Sequence, residues 1–85
     1  MDYEKVGSFI HQKRIDKRIT QQELADILFV DVTTVSKWER GKTFPDNSII
    51  TKLCQTLGIS EHELFVACED QDYRNAKRKL NKIES

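Results

Sequence analysis

Residues 20 to 44 read TQQELADILFVDVTTVSKWERGKTF, and this stretch decides the fold. It opens on Thr20-Gln21-Gln22-Glu23, a capping box in which the Thr20 hydroxyl can accept from the Glu23 amide while the Glu23 carboxylate reaches back to the Thr20 amide. The helix started there is about two turns long. It carries Leu24, Ala25, Ile27 and Leu28, and it buries Leu24, Ala25 and Leu28. Phe29-Val30-Asp31 form a tight connection. Asp31 can cap a second helix from Val32 to Arg40, and Gly41 is its natural stop. On that second helix Val35 and Trp38 lie one helical turn apart and face one core. Thr33, Thr34, Lys37 and Arg40 are left on the other side, with Val32 and Ser36 at its edges.

Working outward, Val6, Phe9, Ile10 and the stem of Lys13 follow helical spacing between Tyr3 and Lys17. Downstream, Pro45-Asp46 closes a short loop, Asp46 can cap a helix running to about Leu57, and Gly58 ends it. Ser60-Glu61-His62-Glu63 is a second capping box, starting a short fifth helix with Leu64 and Phe65 on its inner side. Strand signals are nearly absent and no internal repeat is visible. The fold class is all-α: a compact five-helix domain over residues 1–67.

Residues 68–85 form a charged C-terminal tail or an extra helix. Asp70 and Asp72 precede Arg74, Lys77, Arg78, Lys79 and Lys82, an order that suits a helix dipole. Tyr73, Ala76, Leu80 and Ile83 fall on a narrow helical seam. Two readings stay open: a solvated tail, or a sixth helix serving docking or dimerisation.

The chain has 85 residues, 14 basic and 14 acidic, with 38% apolar and 33% charged side chains. One domain is all that length holds, and the composition is that of a globular protein. A histone-like blanket of positive charge is excluded, so polyanion binding has to come from a local patch. The longest apolar run is Ile27 to Val30, against the roughly 20 residues of a membrane span. A cytoplasmic protein without membrane attachment is expected. Cys54 and Cys68 lie in no CxxC or Cys/His cluster and are expected to be thiols. His11 and His62 belong to separate helices and are expected at the surface. With no HExxH, GxSxG, phosphate loop or metal-spaced ligand set, neither an enzyme, a metal nor a cofactor is expected.

A helix face of short hydroxyls and cations suits the major groove of DNA. Threonine can donate or accept at base edges and pack its methyl on thymine, and lysine reaches guanine or a phosphate. Taken alone, such a face is also an ordinary polar surface. The flanks favour DNA. Gln21 begins its helix, where free amides and the dipole attract a phosphate, and Arg40, Lys42 and Thr43 follow the second helix. Residues 11 to 42 hold seven Lys/Arg against five Asp/Glu, so Asp26 and Glu39 have to point away from DNA or be paired.

VGSFIHQKRI, TQQELADIL, VTTVSKWERGKTFPD and ITKLCQTLGIS together resemble the phage-repressor and Cro type of helix-turn-helix, the xenobiotic-response-element family of bacterial regulators. The resemblance covers residues 4 to about 66. It implies a five-helix fold whose second and third helices bind DNA. By the same resemblance Val32, Thr33, Thr34 and Lys37 meet bases or the adjacent backbone. Gln21, Gln22, Ser36, Arg40, Lys42 and Thr43 contact phosphate, and Gln21 also braces the recognition helix. Arg14 and Glu39 match an internal ion pair, which makes Glu39 structural, and Trp38 belongs to the core. The family favours glycine where this chain has Arg18 and Phe29, and a longer polar residue where it has Val32.

The implied function is a sequence-specific regulator of transcription that binds double-stranded DNA. It would be a repressor acting as a homodimer on a near-palindromic operator, without cofactor. Two alternatives stand beside it. One is an antitoxin or adaptor-type interaction module, docking a protein partner through residues 69–85. The other is the DNA-binding end of a longer regulator.

Overall fold

A computed structural model describes residues 2–68 as five helices: α1 (Tyr3–Asp16), α2 (Gln21–Leu28), α3 (Val32–Glu39), α4 (Asn47–Leu57) and α5 (Glu61–Ala67). Residues 69–85, read as a charged tail or a sixth helix, lie outside the described residues. Each helix contributes a fully buried aliphatic side chain to one core: Ile10, Leu24, Val35, Leu53 and Leu64. Trp38 joins them at 3% exposure, so its indole serves packing and is withheld from solvent.

Both capping boxes form. Thr20 and Glu23 exchange bonds at 3.0 Å, and the Ser60 hydroxyl accepts from the Glu63 amide at 3.0 Å while Glu63 returns to the Ser60 amide at 3.3 Å. Asp2 caps α1 by accepting from the amides of Glu4 and Lys5. Its own amide donates to the Cys68 carbonyl at 3.2 Å, tying the first turn to the end of α5. Asp31 and Asp46 occupy the N-cap positions of α3 and α4 with extended backbone, but neither side chain makes a cap hydrogen bond. They begin those helices by conformation alone. Phe65, expected on the inner side of α5, is 44% exposed, because a helix of seven residues turns only Leu64 fully inward.

Four helices end in the same way, with a residue in the left-handed region and the next amide reaching back five residues. These bonds run from Ile19 to Arg14, Val30 to Ala25, Lys42 to Lys37 and Ile59 to Cys54, at 2.9 to 3.3 Å. The left-handed residues are Arg18 (φ 59°), Phe29 (φ 56°), Gly41 (φ 74°) and Gly58 (φ 69°). Arg18 and Phe29 therefore hold a turn geometry that glycine adopts without strain, each at a cost of about 1 kcal/mol from the Cβ clash.

The third glycine has a different task. A Cβ on Gly7 would stand 2.6 Å from the Glu39 carbonyl oxygen and collide with that of Trp38 as well. The bare backbone of α1 thus lies directly on the last turn of α3. His11 and Arg14, on the same face of α1, are brought beside the Glu39 side chain.

Phe29 is 89% exposed, so its replacement by glycine removes strain without opening a cavity. Phe29→Gly is expected to stabilise the domain by up to about 0.5 kcal/mol after the added freedom of the unfolded chain is counted, raising Tm by up to about 2–4 °C in a thermal melt. Gly7→Ala is expected to lower stability by about 2 kcal/mol or more, since backbone atoms rather than a flexible side chain would have to move.

Candidate nucleic-acid interface

Helix α3 buries Val35 and Trp38 and turns the opposite side outward. Thr33, Lys37 and Arg40 are exposed, Val32 is 36% exposed, and Thr34 and Ser36 are half-buried. Lys42 and Thr43 continue the exposed strip beyond the left-handed turn at Gly41. One surface therefore carries hydroxyls, a methyl-bearing edge and three cations. The Arg40 Nε donates back to the Ser36 carbonyl at 3.4 Å, which folds the guanidinium over the end of α3.

Under this surface lies a carboxylate. The Glu39 side chain is only 4% exposed and accepts four hydrogen bonds. Arg14 Nε donates to Oε2 at 2.6 Å and Arg14 Nη2 to Oε1 at 3.0 Å. His11 Nδ1 lies 2.8 Å from Oε1, and Gln21 Nε2 donates to it at 3.1 Å. The remaining arm of the guanidinium, Nη1, donates to the Ile19 carbonyl at 2.8 Å, so Arg14 also fastens the α1–α2 turn. Glu39 is thus the meeting point of α1, α2 and α3.

Burial pushes the Glu39 carboxyl up. The hydrogen bonds from Arg14, His11 and Gln21, with the Arg14 charge, outweigh it and hold the group below its ordinary value of 4.5. At neutral pH the carboxylate is ionised, and the Arg14 guanidinium beside it meets its charge. Asp26, the other acid of concern, accepts from Gln22 Nε2 at 2.9 Å along the surface of α2. That contact uses one of the two amide N–H groups of Gln22.

Gln21 occupies the first position of α2, half-buried. One N–H of its amide is given to Glu39, leaving the second N–H and the amide oxygen. A side chain held in this way, beside the unpaired amides of a helix start, can present a donor to an anion.

His11 is where the structure adds most to the sequence. Its side chain is 52% exposed, as a surface residue should be, yet its Nδ1 bonds to a nearly buried carboxylate. Its spacing from Gly7 and Arg14 on one face of α1 was the available signal, but it points to a partner only once α3 is known to lie there. His62 is exposed. Cys54 and Cys68 are buried thiols, and burial raises both above the ordinary thiol value, which keeps them protonated and unreactive near neutrality. Lys52 Nζ of α4 lies 5.9 Å from the ring centre of Phe29. Among the described residues no group of three or more His, Cys, Asp or Glu is arranged to hold a metal ion.

Because the folded protein holds Glu39 below 4.5, the unfolded chain takes up the proton first as pH falls. The stability contributed by the cluster is complete above that value and is lost as pH drops through the folded one. Acid titration followed by circular dichroism is expected to show a slope below about pH 4.5 that Glu39→Gln lacks. The same variant, leaving the Arg14 guanidinium buried without a counter-charge, is expected to lose about 3 kcal/mol at pH 7 in urea unfolding.

Comparison with known proteins places this geometry. Residues 10–64 match the family described as helix-turn-helix. The chain is 31% identical to the transcriptional activator BcrR of Enterococcus faecalis, in an alignment covering 87% of this chain and 39% of that one. Among solved structures it is similar to the clp gene regulator ClgR from Corynebacterium glutamicum, with a TM-score of 0.73 and 25% identity, covering 98% of this chain and 89% of the other. It is also similar to the restriction-modification controller protein C.AhdI from Aeromonas hydrophila, with a TM-score of 0.68 and 32% identity, covering 74% of this chain and 96% of the other. The chain spans between 34% and 50% of the length of the curated relatives it matches.

Proposed function

Because the chain belongs to the Cro/C1-type helix-turn-helix family, we propose that it is a sequence-specific regulator of transcription that binds double-stranded DNA. The observation that carries the reading is the exposed strip of α3 and its exit, Val32, Thr33, Lys37, Arg40 and Lys42, set over a fully paired Glu39. Val32, Thr33, Thr34 and Lys37 are proposed to meet base edges. Val32 offers only apolar contact, such as to a thymine methyl, so hydrogen-bonded readout falls to the threonines and Lys37. Gln21, Gln22, Ser36, Arg40, Lys42 and Thr43 are proposed on phosphates.

A single copy covers about 4–6 base pairs, so we propose a homodimer on a near-palindromic operator, acting as a repressor without cofactor. Residues 1–67 would hold the DNA-binding unit, and residues 68–85 would dock a second copy or a protein partner. No described helix is long and apolar enough to cross a membrane, and a cytoplasmic regulator fits that. A second reading, an adaptor that contacts proteins through this fold, draws support from Phe29 at 89% and Phe65 at 44% exposure.

Selection of bound duplexes from a randomised pool at about 0.1 M salt tests the proposal. A two-fold-symmetric motif is expected. No enrichment from folded protein would transfer the case to the adaptor reading. Lys37→Ala is expected to weaken binding to the selected sequence by about 1–3 kcal/mol while sparing random duplex. Lys42→Ala is expected to weaken both alike and to reduce the salt slope by about 1. Equal losses on both duplexes with Lys37→Ala would remove Lys37 from the base-reading set.

A further inference from the structure

We propose that His11 is a positioning residue for DNA contact, acting through Glu39 on Gln21, and that a proton on its imidazole strengthens binding to the phosphate backbone. The inference rests on the DNA-binding reading and adds to it a residue that touches neither base nor phosphate. Three side chains from two helices converge on a single oxygen of α3: His11 Nδ1 at 2.8 Å, Arg14 Nη2 at 3.0 Å and Gln21 Nε2 at 3.1 Å from Glu39 Oε1. What one of these donors does, the other two share. Of the three, Gln21 is the one whose remaining N–H is proposed to face DNA.

A carboxylate only accepts, so the His11 contact requires the proton on Nδ1. The imidazolium always carries one there. The neutral ring has a choice, because Arg14 Nη2 lies 3.2 Å from the same nitrogen. With the proton on Nε2, Nδ1 accepts from Arg14 and lets go of Glu39. With the proton on Nδ1, it keeps Glu39 by a weaker, uncharged bond. Protonation therefore removes the alternative and fixes all the donors on Glu39. It also changes the charge of the set: Arg14 and Glu39 cancel, and His11 adds one positive charge close to Gln21.

The charged groups bonded to the ring are Arg14 of α1 and Glu39 of α3, with the neutral Gln21 amide of α2 on the same oxygen. No described group of α4 or α5 makes a hydrogen bond or ion pair to it. Arg14 and Glu39 are sealed from water, at 8% and 4% side-chain exposure, while the imidazole is 52% exposed. A solvent proton thus reaches the cluster through His11, the member of the set that stands open to water.

The test compares the whole chain with His11→Asn, which keeps a neutral N–H donor but cannot be charged. Thermal melts establish that both are folded. The side-chain amide resonances of Gln21 are followed by NMR from about pH 5.5 to 8, together with the His11 ring. Affinity for a mixed-sequence duplex of roughly 20 base pairs is measured across the same range at fixed salt. In the native chain the Gln21 amide resonances are expected to move together with those of the His11 ring, and the duplex to bind roughly three- to tenfold more tightly at the acid end. In His11→Asn the Gln21 resonances should stay in place and the extra pH dependence should vanish. Identical Gln21 and affinity profiles in the two proteins, with binding intact, would overturn the role of His11 alone. Failure of both folded proteins to bind duplex at any pH would overturn the DNA-binding reading beneath it, even with Gln21 still following His11.

Discussion

The rest of the structure depends on one buried carboxylate. Glu39 closes α3, the proposed recognition helix, and its two oxygens receive donors from α1 and α2. A short helix of eight residues has little stability or fixed direction of its own. Val35 and Trp38 hold it to the core, but apolar contact is non-directional and sets distance better than rotation. Hydrogen bonds from Arg14 and Gln21 to Glu39 fix which face of α3 looks outward, and hence which side chains a groove would meet. Gly7 makes this possible: only a residue without a Cβ lets α1 lie close enough for Arg14 to span the gap.

The same carboxylate explains how a chain with equal numbers of acidic and basic residues can present a cationic strip. Lys37, Arg40 and Lys42 lie on the outer side, whereas the Glu39 carboxylate at the end of the same helix is nearly buried and shared among three donor side chains. Asp26 is partnered by Gln22 on α2. Net charge is a poor guide here because a phosphate responds to charges within about a Debye length, roughly 10 Å at 0.1 M salt, and to how each is compensated.

Stability is spent at the helix ends. The chain uses the left-handed region four times but has glycine at only two of those positions. Arg18 and Phe29 hold the turns on either side of α2, so the strained residues border the motif rather than the supporting helices α4 and α5. The six-to-one hydrogen bond at each turn keeps the geometry despite the clash. Phe29 is left projecting beside Lys52 at 89% exposure, an apolar group that no neighbour among the described residues covers.

Capping boxes, helix-stopping glycines and three-to-four-residue apolar spacing specified five helices and their order, because those signals act between residues a turn apart. They also separated the inner residues of α3, Val35 and Trp38, from its outer ones. The inward turn assigned to Phe65 and the side-chain caps assigned to Asp31 and Asp46 did not form. Each depends on how a short helix is seated by its neighbours. The link between Arg14 and Glu39, 25 residues apart, came into view through likeness to a family and not through periodicity, which has no reach over that distance. The brace from Gln21 to the recognition helix came through the same likeness, but the oxygen it shares with His11 was beyond the sequence. A half-exposed histidine looks like any surface residue until the packing of α1 on α3 puts a carboxylate 2.8 Å from its ring. The sequence by itself determined which segments are helical and which faces are apolar, since both are local. Only the tertiary structure decided which polar groups share a partner, because that follows from how closely two backbones approach.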